Sequence, residues 1–236
     1  MGTGDSWVVE LSGELIDLHD AVALFRDGTP TVQSAVLPDR EAVVLMADEL
    51  ELLQAIPDVQ IAAERMLVAL NAVLYLEDHD RKPLSILGVH KRRANGTWDI
   101  GMIVSGTSFR LRGARLRGQP DATGPTRQSN WLQAGLRDEI VADVLSYLRG
   151  EPDWIALYKA YEAMSKDMTA LKSRKAPISG WPSQSQIGAF TRDAQLHRHS
   201  KSWCEKHGIT NTGALTFSEA SALVRSMIRT WIEWRA

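Results

Sequence analysis

With 236 residues, 44% of them hydrophobic and 24% charged, the chain can bury one large core or two modest ones without disulfide or metal staples. A formal charge of −2 excludes a protein that is basic overall, so any nucleic-acid contact must come from a local patch. The single cysteine, Cys204, excludes an internal disulfide and a cysteine-rich metal site, and no basic segment leads into an apolar run at the start. A cytoplasmic protein with no membrane partner is therefore expected.

Trp7 to Leu11 reads as a strand, and Gly13 to Phe25 as a helix ended by Asp27-Gly28. Two strands, Thr31 to Leu37 and Ala42 to Met46, flank the turn-forming Pro38-Asp39. A long helix is expected from Asp58, its cap, to about Leu76, with Ile61, Met66, Leu67, Leu70 and Leu74 on one side. The clearest hairpin follows: Leu84 to Arg92, the turn Ala94-Asn95-Gly96, and Thr97 to Val104, the Asn-Gly pair supplying positive φ angles. A further strand, Thr107 to Leu116, leads to the Gly/Pro-rich stretch Gly118 to Thr126, which reads as a linker.

Beyond it the apolar period becomes 3.6. Trp131 to Leu148 repeats Leu132, Leu136, Ile140, Val144 and Leu148, and Gly150-Glu151-Pro152 stops it. Asp153 to Met168 presents Trp154, Leu157, Tyr158, Tyr161 and Met164 along one stripe. The last helix opens with a capping box, Thr216 and Glu219, and runs to Trp234 with Phe217, Ala220, Val224, Ile228 and Trp231 inward. With the helical stretch that precedes the last one, from Ile187 to His207, these make four helices with short to medium connections, a bundle.

Between the second and the last of these helices, Ile187 to His207 holds the densest set of ionisable groups. Arg192 and the histidines suit a phosphate: arginine is a permanent planar fork of donors, and histidine exchanges a proton near neutral pH. On one regular helix Arg192 and His197 are about 140° apart, and Arg192 and His199 only about 20°. Asp193, one turn before His197, could hold that ring's tautomer. If Arg192 and His197 share a site, a two-fold partner chain is the simplest way to bring them together. A metal set of His197, His199 and His207 is disfavoured because His-x-His on a helix points its rings about 200° apart, so no metal or other cofactor is expected.

Elsewhere Arg110, Arg112, Arg115 and Arg117, with Lys91, Arg92 and Arg93, could make one sheet face positive and track a nucleic-acid backbone; a solvated face opposite carboxylates reads equally well. Arg198 and Lys201, beside the histidines, are further candidate nucleic-acid contacts. The eight tryptophans read mostly as packing, with Trp203 and Trp234 as interface candidates.

The C-terminal half, about 105 residues from Trp131 onward, resembles the HEPN superfamily of helical bundles. The likeness rests on four consecutive amphipathic helices and on Arg192-Asp193-Ala194-Gln195-Leu196-His197, which matches the family's arginine, following polar residue and later histidine; His199 also falls within the permitted spacing. The segment Leu157 to Glu162, L-Y-K-A-Y-E, looks like a helix of bacterial HEPN-like proteins. The resemblance implies a metal-independent RNA endonuclease of the toxin or defence-effector kind, working as a homodimer through its C-terminal helices, with Arg192, Asp193, His197 and His199 as its catalytic set. Other members of the family are inactive dimerisation or nucleotide- and nucleic-acid-binding modules, and that is the alternative. The expected fold class is α+β: an N-terminal unit over 1–117, mainly antiparallel sheet with helices, a linker over 118–127, and a four-helix HEPN-like bundle over 128–236.

Overall fold

The computed structural model describes residues 5–102, 126–171, 179–209 and 214–235. The strand expected over Thr107 to Leu116, the arginines Arg110, Arg112, Arg115 and Arg117, and all but the last two residues of the 118–127 stretch lie outside them. The fold is α+β, an antiparallel five-stranded sheet followed by helices, in two compact units made from 1–71 with 81–133 and from 72–80 with 134–236.

In the first unit the strands are β1 (Ser6–Ser12), β2 (Thr31–Val36), β3 (Glu41–Met46), β4 (Ser85–Arg92) and β5 (Trp98–Met102), ordered β2-β3-β1-β4-β5 with every pairing antiparallel. The strand expectations hold to within a few residues because alternating apolar residues and turn-formers specify them locally. In the β4–β5 turn only Gly96 takes a positive φ, +85°. Asn95 contributes differently, its Oδ1 accepting from the Thr97 N–H at 3.0 Å.

Helix α1 (Leu15–Phe25) is as expected, whereas the one-turn α2 (Asp48–Glu51) carries too little periodicity to be read from sequence. Helix α3 (Ile56–Glu77) begins two residues before the expected Asp58 cap, so Asp58 sits in the first turn, where a carboxylate suits the dipole. Met66, Leu67, Leu70 and Leu74 are buried as expected, but Ile61 is 67% exposed, and Val59 and Ala63 fill the inward positions of the first turns. By length and composition α3 could cross a membrane, yet 67% of its most apolar window is buried, as in a core helix.

One buried polar cluster lies within the sheet. His90 Nε2 is 3.0 Å from Glu10 Oε2, and Arg40 grips the same carboxylate with Nε at 3.1 Å and Nη2 at 2.7 Å. The His90 ring lies over Gly88, where a Cβ would come within 2.8 Å of Cε1 and Nε2. Glycine is required there by close approach and not by backbone conformation.

The second unit departs from the sequence expectation at two breaks. The helix expected over Trp131 to Leu148 is two, α4 (Arg127–Arg137) and α5 (Glu139–Ser146), because Asp138 leaves helical geometry and caps α5 through the N–H groups of Ile140 and Val141. With the phase broken, Ile140 is exposed. Helix α6 (Trp154–Leu171) starts behind Asp153, whose Oδ1 accepts from the Ala156 N–H. Helix α9 (Phe217–Arg235) carries the expected capping box, Thr216 N–H to Glu219 Oε2 at 2.7 Å and Glu219 N–H to Thr216 Oγ1 at 3.3 Å. The Thr216 N–H, together with the Thr216 hydroxyl donating to the same Oε2 at 2.8 Å, holds the Glu219 carboxyl below the usual carboxylate range. Ala220, Val224, Ile228 and Trp231 are inward as expected, but Phe217 is 36% exposed.

Arg225 on α9 is buried and closes the end of α3: Nε and Nη2 donate to Leu76 O at 3.1 and 2.9 Å, and Nη2 to Glu77 O at 2.6 Å. An arginine thus takes the place of a glycine C-cap for carbonyls that the helix itself leaves unpaired. Arg235 ties the other end of α9 to Asp138 at 2.8 Å and to Asp167 at 2.6 Å, and Asp167 also accepts from Trp231 Nε1.

Candidate functional site

Helix α7 (Gln184–Arg198) opens on a capping box in which Ser183 Oγ accepts the Gln186 N–H and Gln186 Oε1 accepts the Ser183 N–H. Ile187, Phe190 and Ala194 repeat at helical spacing and are buried, which fixes the rotation of the helix. That rotation separates the motif residues. Asp193 falls on the buried face, while Arg192 and His197 are exposed.

The expected Asp193–His197 hydrogen bond does not form. Asp193 Oδ2 accepts the Leu215 N–H at 2.8 Å, just ahead of the α9 cap, and Oδ1 is buried with no partner. The motif's carboxylate anchors the entry to α9. His197 is held by a ring instead: it stacks on Trp154 with centroids 4.8 Å apart and planes 6° apart, and Phe217 meets Trp154 edge-on at 5.8 Å.

His199 does not continue the helix. At ψ 159° it is extended and ends α7, so the angle computed for one regular helix does not apply to the pair Arg192 and His199. Ser200 then caps α8 (Lys201–Lys206) through the Trp203 N–H at 3.3 Å. Gly208 closes α8 at φ +67°, with Gly208 N–H to Glu205 O and Ile209 N–H to Cys204 O at 3.1 and 2.9 Å, a Schellman end. The break at His199 and Ser200 sets up a ladder of rings. His199 stacks on Trp203 at 3.7 Å, and Trp203 meets His207 at 4.2 Å. His207 is exposed, with His199 and Trp203 partly so.

The cations divide as well. Arg198 spends its charge locally, with Nη1 3.5 Å from Glu162 and the guanidinium 5.1 Å over the Tyr158 ring. Arg192 makes no ion pair with any described residue, and Lys201 opens α8. In the first unit Lys91 and Arg93 both reach Asp5, at 3.4 and 2.9 Å, and Arg93 also pairs with Asp99, so two of the three cations on that hairpin are neutralised locally.

A groove of about 620 Å³ beside α5 and α6 is lined by the carboxylates of Glu139, Asp143, Glu162 and Asp167 and by the ammonium groups of Lys159 and Lys166, and it includes none of the motif residues. Among the described residues the group with metal-ligand chemistry is Asp78, His79 and Asp80, with ligand atoms within 4.8 Å of one another, and it includes none of the motif histidines.

Sequence reading found the histidines and missed the rings that hold them. The signal was present: His199, Trp203 and His207 recur every four residues. Trp154 and Tyr158 read as core residues, yet they support His197 and Arg198. Comparison of the chain with protein-family models, curated proteins and solved structures finds no match.

Proposed function

We propose that the helical unit is a HEPN-like module that binds single-stranded RNA inside the cell, with bases stacking on the histidine and tryptophan rings of α7 and α8. The observation that carries this reading is the His199–Trp203–His207 ladder, whose rings are partly or fully exposed, on a stretch of chain that also carries Arg192 and Lys206, both exposed. Unpaired bases extend such a stack on their π faces while neighbouring cations meet the backbone. Because stacking ignores base identity, binding is tolerant of sequence and falls with salt.

Fluorescence anisotropy with a labelled single-stranded RNA tests it. Trp203→Ala removes the centre of the ladder and weakens binding by about 5- to 150-fold, the loss of about 1–3 kcal/mol of stacking. Equal affinities for Trp203→Ala and the unaltered protein, or equal affinity for double-stranded RNA, would sink the proposal.

A second reading, metal-independent cleavage, is favoured by one observation: Arg192 and His197 are both exposed, and neither is engaged by a carboxylate. On α7 they stand about 140° and about 7.5 Å of helix axis apart, so one phosphate meets both only across two chains. A histidine there would take the 2′-hydroxyl proton, the 2′-oxygen would attack phosphorus, Arg192 would stabilise the charge on the phosphoryl oxygens, and a second histidine would protonate the leaving 5′-oxygen. The products are 2′,3′-cyclic phosphate and 5′-hydroxyl ends, formed in EDTA and lost in Arg192→Ala and His197→Ala. RNA that is bound but left intact at high protein concentration excludes cleavage and leaves the binding reading standing.

A further inference from the structure

We infer that the β2 edge of the sheet pairs with the β2 edge of a second copy of this chain, giving a continuous ten-stranded sheet about a two-fold axis at Ser34. Among the described residues strand β2 is the last of its sheet and pairs only with β3, through six consecutive residue pairs without a bulge. Its outer row of backbone donors and acceptors is met by no other described strand. Such an edge invites another strand, and sheets ordinarily guard it with lysine, proline, a bulge or a cover. Thr31 to Val36, T-V-Q-S-A-V, has none of the first three: no charge, no proline, regular register. The strand at the opposite edge, β5, carries Asp99 ion-paired to Arg93.

The occupant follows from the same residues. An uncharged strand has no charge pattern with which to select a foreign peptide, whereas it is complementary to itself. In an antiparallel pair about an axis normal to the sheet, residues that face each other must point to the same side, so the two numbers sum to an even value. An axis at Ser34 satisfies this and sets Val32 of one chain opposite Val36 of the other. Val32 is fully buried and Val36 is 73% exposed, so pairing extends the apolar row and covers Val36. Helix α1 packs against β2 and leaves Ile16, Leu18, Val22 and Ala23 only partly buried. The same two-fold brings both copies of α1 to one side of the joined sheet, where these residues add apolar area.

Charge exchange at the axis tests this in the full-length chain by light scattering after size-exclusion chromatography. Ser34 is exposed, so Ser34→Lys and Ser34→Glu are expected to keep the far-ultraviolet circular dichroism spectrum of the unaltered chain, while the melting temperature loses its dependence on protein concentration. The unaltered chain is expected to be dimeric, each variant alone monomeric because like charges meet across the axis, and an equimolar mixture of the two dimeric again. In parallel, Ser34→Cys should form a disulfide-linked dimer under mild oxidation, against the low background of the buried Cys204. A wild-type chain that is monomeric at every concentration overturns the inference, as does a Ser34→Lys protein that remains dimeric, which would put the interface elsewhere, for instance on the C-terminal helices. Absence of a position-34 cross-link in a dimeric Ser34→Cys protein also overturns it.

Discussion

Replacing Asp193 separates the structural use of the motif's carboxylate from a chemical one. In Asp193→Ala the Leu215 N–H loses the acceptor it has in Asp193 Oδ2, a charge-assisted, partly buried bond of 2.8 Å at the start of α9. A bond of that kind contributes about 1.5–3 kcal/mol net, and the stranded N–H keeps its desolvation cost, so about 2–3 kcal/mol should be lost. For a chain of this length that lowers the melting temperature by about 4–12 °C. Asp193→Asn differs: its amide oxygen can still accept from Leu215, and its NH₂ group takes the place of the partnerless Oδ1, so the loss should stay below about 1 kcal/mol. Urea unfolding followed by circular dichroism, with slope and midpoint fitted for both variants, measures the difference. Equal destabilisation by the two substitutions, or none by alanine, refutes the anchoring role. An Asp193→Asn protein that is fully stable yet has lost an RNA-dependent activity would show that the charge serves chemistry after all.

The remaining expectations concern other parts of the fold. Arg225→Met leaves Leu76 O and Glu77 O without their guanidinium donors and should cost about 3 kcal/mol, read as a fall in urea midpoint with unchanged slope. Gly88→Ala drives a methyl into the His90 ring and the Gly101 carbonyl, breaks the Glu10–His90 contact and should cost about 1–3 kcal/mol by thermal melting. Burial raises the Asp138 carboxyl, but the Arg235 guanidinium and the N–H groups of Val141 and Ile140 outweigh it and hold it below the usual range. Its contribution is therefore present above the unfolded pKa of about 3.9 and lost as pH falls through the lower folded value, so Asp138→Asn should flatten the acid limb of the stability profile. Burial raises the Asp17 carboxyl despite the Lys82 N–H it accepts, so its stabilising share lies below the unfolded pKa and is lost as pH rises through the folded one. Asp17→Asn should accordingly raise stability at pH 7 and leave the profile flatter between the two values.

Sequence by itself determined the elements whose signals are local. The strands, the β4–β5 hairpin and the Thr216–Glu219 capping box were legible because alternation, turn residues and caps act over a few neighbouring residues. The density of ionisable groups from Ile187 to His207 was equally legible. Two helix breaks were not read although their residues were in view, since Asp138 and Ser200 are helix-compatible until their side chains cap the next helix. Tertiary structure alone decided how those groups are used. The rotation of α7 is set by Ile187, Phe190 and Ala194 seeking the core, which carries Asp193 inward to Leu215 and leaves Arg192 and His197 outside. The ring partner of His197, Trp154, and the carboxylate partner of Arg198, Glu162, come from α6, more than thirty residues earlier, and no short-range pattern encodes a contact of that separation. Periodicity says which residues share a face; only packing says what that face meets.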